Sequence, residues 1–504
     1  MTLNPRFYKL VGTTYCLNKR VSQETRSLVK WRNFSHLTKP LFALSLFFHY
    51  NLLIMEKNLT QGSIFKNIVV FSLPFLFSYF LQTLYGLADL FIAGQFNGAN
   101  VISAVSIGSQ VMHMFTVMIV GLAMGGTVLI GQAVGAKDSK KVSSVIGNTI
   151  TLFIIIAIII TFILLVLCRK IVLLVQTPVE SIEETVSYLK ICFMGIPFIV
   201  AYNVISSIYR GLGDSKSPMF FITIACVINI ILDYIFMGIL EMKATGAAIA
   251  TVLAQTFSVI ISIVFMKKSK NPIKISNNDF KLKSKIAGNI LKIGVPVCCQ
   301  DGFIQISFMI ITVIANRRGV DVAAAVGIVE KIICFLFLVP STMLSTVSSI
   351  ASQNIGAGLI NRAEKTLWMG TSIAAGIGLV FALIFQFAAK PILSLFTAET
   401  VVVNLGVQYI KSYVFDCIFA AIHFSFSGYF CAMGKSIISF IHNVISIICV
   451  RIPGAYLAAK LYPQTLFPMG MAAPLGSALS AIICVVAFFI YKKKYKKIIP
   501  KKVR

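Results

Sequence analysis

The sequence predicts an all-α polytopic membrane protein whose twelve transmembrane helices form two pseudo-repeated six-helix lobes. Three observations carry this reading. Of 504 residues, 57% are hydrophobic and only 12% charged, and the mean hydropathy is +0.88. From Phe65 onward, apolar stretches of the ~20 residues needed to cross a hydrocarbon core recur twelve times between Gly, Pro and charged punctuation. Residue patterns of the first half then return in the second at a constant spacing. The formal charge is +28, from 45 Lys+Arg against 17 Asp+Glu. A soluble nucleic-acid binder reaches such a charge by raising its charged fraction, and a disordered chain is poor in apolar residues. Both classes are excluded, and nucleic acid with them as a partner.

Residues 1–54 stand apart, with eight Lys/Arg, one acid (Glu24), and an apolar run over 41–55 interrupted by His49, Tyr50 and Asn51. That run is short for a span, and no A-x-A-like cleavage site follows it. We expect a basic extension that is disordered or non-native, with Met55 as the natural start. Thr60 or Ser63 then caps the first helix. The spans follow at 66–93, 101–126, 145–168, 188–210, 217–240, 244–266, 286–314, 322–346, 366–389, 402–432, 436–459 and 470–491. Period-2 alternation is missing and several runs, such as 151–167, are apolar all round, so helices rather than barrel strands are indicated. These limits give a first lobe over 55–266, a basic linker over 267–292, a second lobe over 286–491 and a basic tail over 492–504. Eleven Cys are scattered without a CxxC pair, as apolar fillers of a reduced protein.

Lys and Arg accumulate on the cytoplasmic side of short loops. With both termini inside, 26 basic residues fall on the cytoplasmic side and eight on the other. The expected location is therefore the cell membrane, multi-pass, with both termini cytoplasmic and the basic flanks against anionic lipid headgroups.

The repeat is read at a shift of 221. Ala104-Val105-x-Ile107 returns as Ala325-Val326-x-Ile328, Gln132-x-x-Gly135-Ala136 as Gln353-x-x-Gly356-Ala357, and Tyr188-x-Lys190 as Tyr409-x-Lys411. Gly213 and Gly434 keep the register, and Pro74 and Pro296 differ by 222. Six spans return the chain to its starting side, so the repeat is parallel. Two such lobes are the architecture of an alternating-access transporter. The chain carries no GxxxxGK[ST], no HExxH and no GxSxG with plausible partners, so it is expected not to be an enzyme, and transport must draw on a gradient.

A carboxylate at membrane depth is costly unless paired, hydrated or protonated, which makes each one a functional candidate. Ser78, Gln82, Tyr85 and Asp89, spaced 4, 3 and 4, share one face of the first span. Asn229 and Asp233 are i, i+4 in the fifth, and their oxygens can accept a proton or coordinate Na⁺. Asn203, Ser207 and Arg210 line the fourth span, with Arg210 as an anchor or clamp. Asp301 and Gln305 are one turn apart in the seventh, and Asp416 lies early in the tenth; Gln82, Tyr85, Asn203, Asp301, Gln305 and Asp416 are the candidate cavity residues. Glu330 beside Lys331 reads as a local charge pair, and His423 and His442 as bundle histidines satisfied by neighbours. Shifting Asn229 and Asp233 by 221 lands on Val450 and Gly454, beside Arg451 and Pro453, so ion coupling is assigned to the first lobe.

Pro74 fifteen residues before Asp89, the Gly131-Gln132-Ala133-Val134-Gly135-Ala136 loop, Arg210-Gly211-Leu212-Gly213-Asp214 and Asn229-x-x-x-Asp233 together resemble the multidrug and toxic compound extrusion (MATE) transporters. The likeness covers roughly residues 60–492, with the motifs in order. It implies a V-shaped fold of six plus six helices that exports lipophilic, often cationic compounds in exchange for H⁺ or Na⁺. It implies a coupling-cation site at Asp89, Asn229 and Asp233, a hinge at Pro74, no cofactor beyond the coupling ion, and no metal other than Na⁺ at that site. The cargo class is then small lipophilic cations, and a single chain suffices. Gln305 stands where some relatives carry an acid, so a second-lobe Na⁺ site is not expected. The rival reading is a lipid or lipid-linked oligosaccharide flippase of the same broad superfamily.

Overall fold

A computed structural model of the chain describes residues 58–268 and 275–498, and every regular element among them is helical. The expectation for residues 1–54 lies outside the described residues. Ser63 caps the first span, its hydroxyl accepting from the Lys66 backbone N–H at 3.4 Å. Ten helices are long and apolar enough to cross a membrane, and twelve spans result when each of two bent pairs is taken as one. The first lobe comprises Ile64–Phe96, Ala99–Gly135, Ser139–Leu174, the pair Val179–Met194 with Ile196–Gly211, Lys216–Ile239 and Lys243–Lys268. The second comprises Ser284–Asn316, Val320–Gly356, Ile360–Leu393, the pair Thr400–Tyr413 with Asp416–Ala432, Ile437–Leu461 and Phe467–Lys493.

The repeat extends to the irregularities. The fourth span bends by 48° at Gly195 and the tenth by 41° before Asp416, and these two positions are again 221 apart. Pro197, in the first turn of Ile196–Gly211, has no N–H to continue a preceding helix. The fifth and eleventh spans each contain a π-helical turn, Tyr234–Ile239 directly after Asp233 and Ile447–Arg451. Such turns widen the helix and re-aim side chains, often at functional sites.

Several helices outrun their apolar cores. The second span continues to Gly135, so the Gly131–Ala136 motif expected as a loop is mostly helix. Likewise the seventh span starts at Ser284, inside the basic segment expected as linker. The third span, strongly apolar and little buried along its apolar stretch, faces outward from the bundle.

Between the lobes, the second span packs on the seventh and eighth, and the first on the eighth and ninth. Contact between second and seventh is backbone to backbone. A Cβ on Gly125 would lie 2.1 Å from the Ile290 carbonyl oxygen, and one on Gly294 2.2 Å from that of Leu122. Only glycine permits this approach. The chain also crosses over at the start of each lobe. Residues 58–62, leading into the first span, bond to the second lobe: Leu59 N–H donates to Gln353 Oε1 (3.1 Å), and Arg362 donates to the carbonyls of Gln61 and Gly62. The lead-in to the second lobe bonds to the first. Asn148 donates to the Asp279 carbonyl (3.1 Å) and accepts from the Lys283 N–H (2.6 Å), and Thr151 donates to the Phe280 carbonyl (2.8 Å).

Candidate functional site

Three of the predicted residues converge inside the first lobe. Asp89, Asn229 and Asp233 are 2%, 2% and 0% exposed. The helical face that carries Asp89 meets the face that carries Asn229 and Asp233 because the first and fifth spans pack along their lengths. The sixth span completes the cluster with Thr251, whose hydroxyl accepts from Asn229 Nδ2 and donates to Asp89 Oδ2, each at 3.4 Å. The carboxyl groups of Asp89 and Asp233 are close enough to interact electrostatically. Tyr85, Ala225, Asn229, Thr251, Ala254 and Gln255 line a narrow gap beside it.

What distinguishes the cluster is a surplus of acceptors. Asp89 Oδ1, Asn229 Oδ1, both oxygens of Asp233 and Gln255 Oε1 are buried without a hydrogen-bond partner among the described residues. Buried polar atoms are nearly always satisfied, and an unsatisfied acceptor is costly. A set of carboxylate and carboxamide oxygens is the donor set a hard cation takes, and it equally accommodates a proton between two carboxyls.

The remaining candidates are dispersed. Gln82 is half-buried. Asn203 spends its amide on the Ile199 carbonyl of its own helix (2.8 Å) and stays outside the cluster. Pro74 sits inside the first helix, its carbonyl accepting from the Ser78 hydroxyl at 2.9 Å. Asp301 is half-buried at the lobe interface, its Oδ2 only 2.7 Å from where a Cβ on Gly121 would be; Gln305, one turn on, is also half-buried.

Asp416, expected to line the cavity, is instead fully buried. Its Oδ2 accepts from Arg451 Nη2 at 3.3 Å, and the same nitrogen donates to the Tyr413 hydroxyl at 2.6 Å. The guanidinium also stacks 5.0 Å from the Phe308 ring centroid. An ion pair so enclosed leaves no face for cargo. Glu330 does not pair with Lys331 but accepts from the Thr312 hydroxyl at 3.0 and 3.1 Å. His442 Nε2 is 3.0 Å from the Ser427 hydroxyl, with the His423 ring 5.5 Å away.

A family-wide sequence profile described as MatE matches residues 74–235 and again 296–457. The chain belongs to the MatE family. The two matches are offset by 222, within one residue of the 221 register of the internal repeat, and this MatE chain is accordingly a multi-pass membrane transporter rather than an enzyme. It is similar to "Probable multidrug resistance protein YpnP" of Bacillus subtilis (strain 168), 29% identical over 433 residues and covering 86% of this chain and 95% of that one. It is also similar to "Probable multidrug resistance protein YoeA" of the same organism, at 24% over 450 residues and covering 88% and 97%. The solved structure titled "Crystal structure of MATE in complex with MaL6" superposes with a TM-score of 0.82 at 22% identity, covering 87% of this chain and 99% of that one.

Sequence reasoning on this MatE chain missed Thr251 and Gln255. They are i, i+4 in an apolar span, the same signal that flagged Asn229 and Asp233, but an uncharged pair does not stand out at membrane depth. Arg451 was seen but not placed, since its partner is 35 residues away on another helix.

Proposed function

We propose that this MatE chain is a secondary antiporter of the cell membrane, with both termini cytoplasmic, that exports lipophilic, often cationic compounds in exchange for H⁺ or Na⁺ bound at Asp89, Asn229 and Asp233. The observation that carries the reading is the set of buried, unpartnered oxygens on these residues and Gln255. Without a cation, two adjacent carboxylates repel and go undersolvated; binding one removes both costs. Ion entry thus alters the packing of the first span against the fifth and sixth, and bending at Pro74 carries the change to the cavity. Substrate leaves on one side, the lobes rock, and ion release on the other restores the negative charge that attracts the next organic cation. The pairing of Arg451 with Asp416 speaks against an anionic lipid-linked cargo, because this buried cation of the second lobe is already engaged.

The test is reconstitution of the full chain in proteoliposomes, following ethidium movement under an imposed ΔpH or ΔNa⁺ applied separately. Wild type should transport under one of the two gradients. Asp89→Asn and Asp233→Asn should lose gradient-driven transport while remaining folded. Wild-type transport in both variants would refute the coupling assignment.

A further inference from the structure

The repeated Gln-x-x-Gly-Ala motif has no part in the cation cluster, yet the structure gives it a reciprocal arrangement. Gln132 of the first lobe donates from Nε2 to the Ala432 carbonyl of the second at 2.8 Å. Gln353 of the second donates from Nε2 to the Gly211 carbonyl of the first at 3.1 Å. Both donors and both acceptors are related by the shift of 221. Ala432 and Gly211 are the last residues of their helices, where carbonyls have no partner within the helix. Each glutamine therefore caps a helix of the opposite lobe.

The glycines of the motif repeat the exchange. A Cβ on Gly135 would lie 1.9 Å from the Gln353 carbonyl oxygen, and one on Gly356 2.0 Å from that of Gln132. These contacts are to backbone, which cannot swing aside, so the interface closes only with glycine at both positions. All four helix ends lie on the face where the first span begins, opposite the face where the odd-numbered spans end.

We propose that Gln132, Gly135, Gln353 and Gly356 form a two-fold latch that closes this face of the two lobes, and that its release is the step that opens the cargo space to this side. The chemistry suits a contact that must be made and broken. An amide-to-carbonyl bond exchanged for water is worth on the order of five-fold in an equilibrium, because both groups are solvated when apart. The glycine contacts contain no side chain to entangle. The latch takes its role from the transport reading, but its contacts stand independently of which ion drives the cycle.

The experiment uses the full chain in proteoliposomes, with hydrogen–deuterium exchange at residues 131–138, 209–214, 352–359 and 430–436 beside ethidium transport. Gln132→Ala should speed exchange on the order of five-fold at 430–436, in the lobe that carries no substitution. Gly135→Ala and Gly356→Ala should each loosen all four segments and slow transport on the order of ten-fold, since an added methyl wedges the interface open. Gly376→Ala, where a Cβ meets nothing within 4 Å, should match wild type in both readouts. The proposal is overturned if the faster exchange stays within the substituted lobe, or if both glycine variants transport at the wild-type rate. Misfolding would appear as lost protection at the far face, and Gln132→Ala, a truncation of a half-buried side chain, then decides the matter. Absence of ethidium transport by wild type would count against the antiport reading and leave the exchange arm to judge the latch.

Discussion

Replacing Arg451 with Met removes the cation of the second lobe's buried ion pair while keeping most of the side-chain length. Asp416 is then left with its carboxylate fully buried; its remaining support is the N-terminal turn of the helix Asp416–Ala432, and its Oδ1 has no hydrogen-bond partner among the described residues. Breaking a buried pair from one side costs about 3–5 kcal/mol. A helix N-terminus can return up to about 2 kcal/mol to an anion, so the expected loss is about 3 kcal/mol. At 504 residues, the unfolding entropy is on the order of 1 kcal/mol per degree, and Tm should fall by about 3 °C. Asp416→Leu alone should cost at least as much, because it strands the guanidinium on Tyr413 and Phe308. The double substitution removes both charges and should return to within about 1 kcal/mol of wild type. Thermal unfolding in detergent of the four proteins forms a double-mutant cycle, and if coupling belongs to the first lobe, as proposed, the double variant should also transport at the wild-type rate. Additive losses in the cycle would refute the ion pair as a self-neutralised unit. Loss of ion dependence in the double variant would refute the division of labour between the lobes.

Two further outcomes follow from the first lobe. Thr251→Val keeps the shape of the side chain but deletes its two 3.4 Å contacts, so the apparent affinity for the driving ion should weaken about five-fold at unchanged maximal rate; an ion titration of transport checks it, and an unshifted midpoint would remove Thr251 from the site. Pro74→Ala restores a backbone donor inside the first helix, where proline costs about 3 kcal/mol. A higher Tm with slower transport is expected, and wild-type turnover would exclude Pro74 as the bending point.

The twelve spans and their pairing into lobes were readable because burial in lipid demands long apolar runs, and duplication leaves a register. Bends were not: Gly195 lies inside a hydrophobic stretch like any other, and hydropathy is blind to a 48° turn. The Asp89, Asn229 and Asp233 cluster was readable because each residue is out of place in an apolar helix. Asp416 was misjudged because its sequence neighbours say nothing of Arg451, which reaches it across the bundle. The second-span motif passed for a loop for the same reason, since its glycines and amide owe their helical setting to atoms of the other lobe.

The exchanged lead-in segments set a timetable for biosynthesis. Leu59 and Gln61 take their partners from Gln353 and Arg362, 294 and 301 residues further along the chain. At ribosomal speeds those partners emerge about 15–60 s after the segment that needs them. The first six helices can insert and pack during that interval, with Asn67 of the first span holding the carbonyls of Leu59 and Gln61, but the bonds from this lead-in to the second lobe wait for the eighth and ninth helices. A truncated first lobe made alone would lack that fastening permanently, whereas co-production of the separated second lobe would supply it in trans.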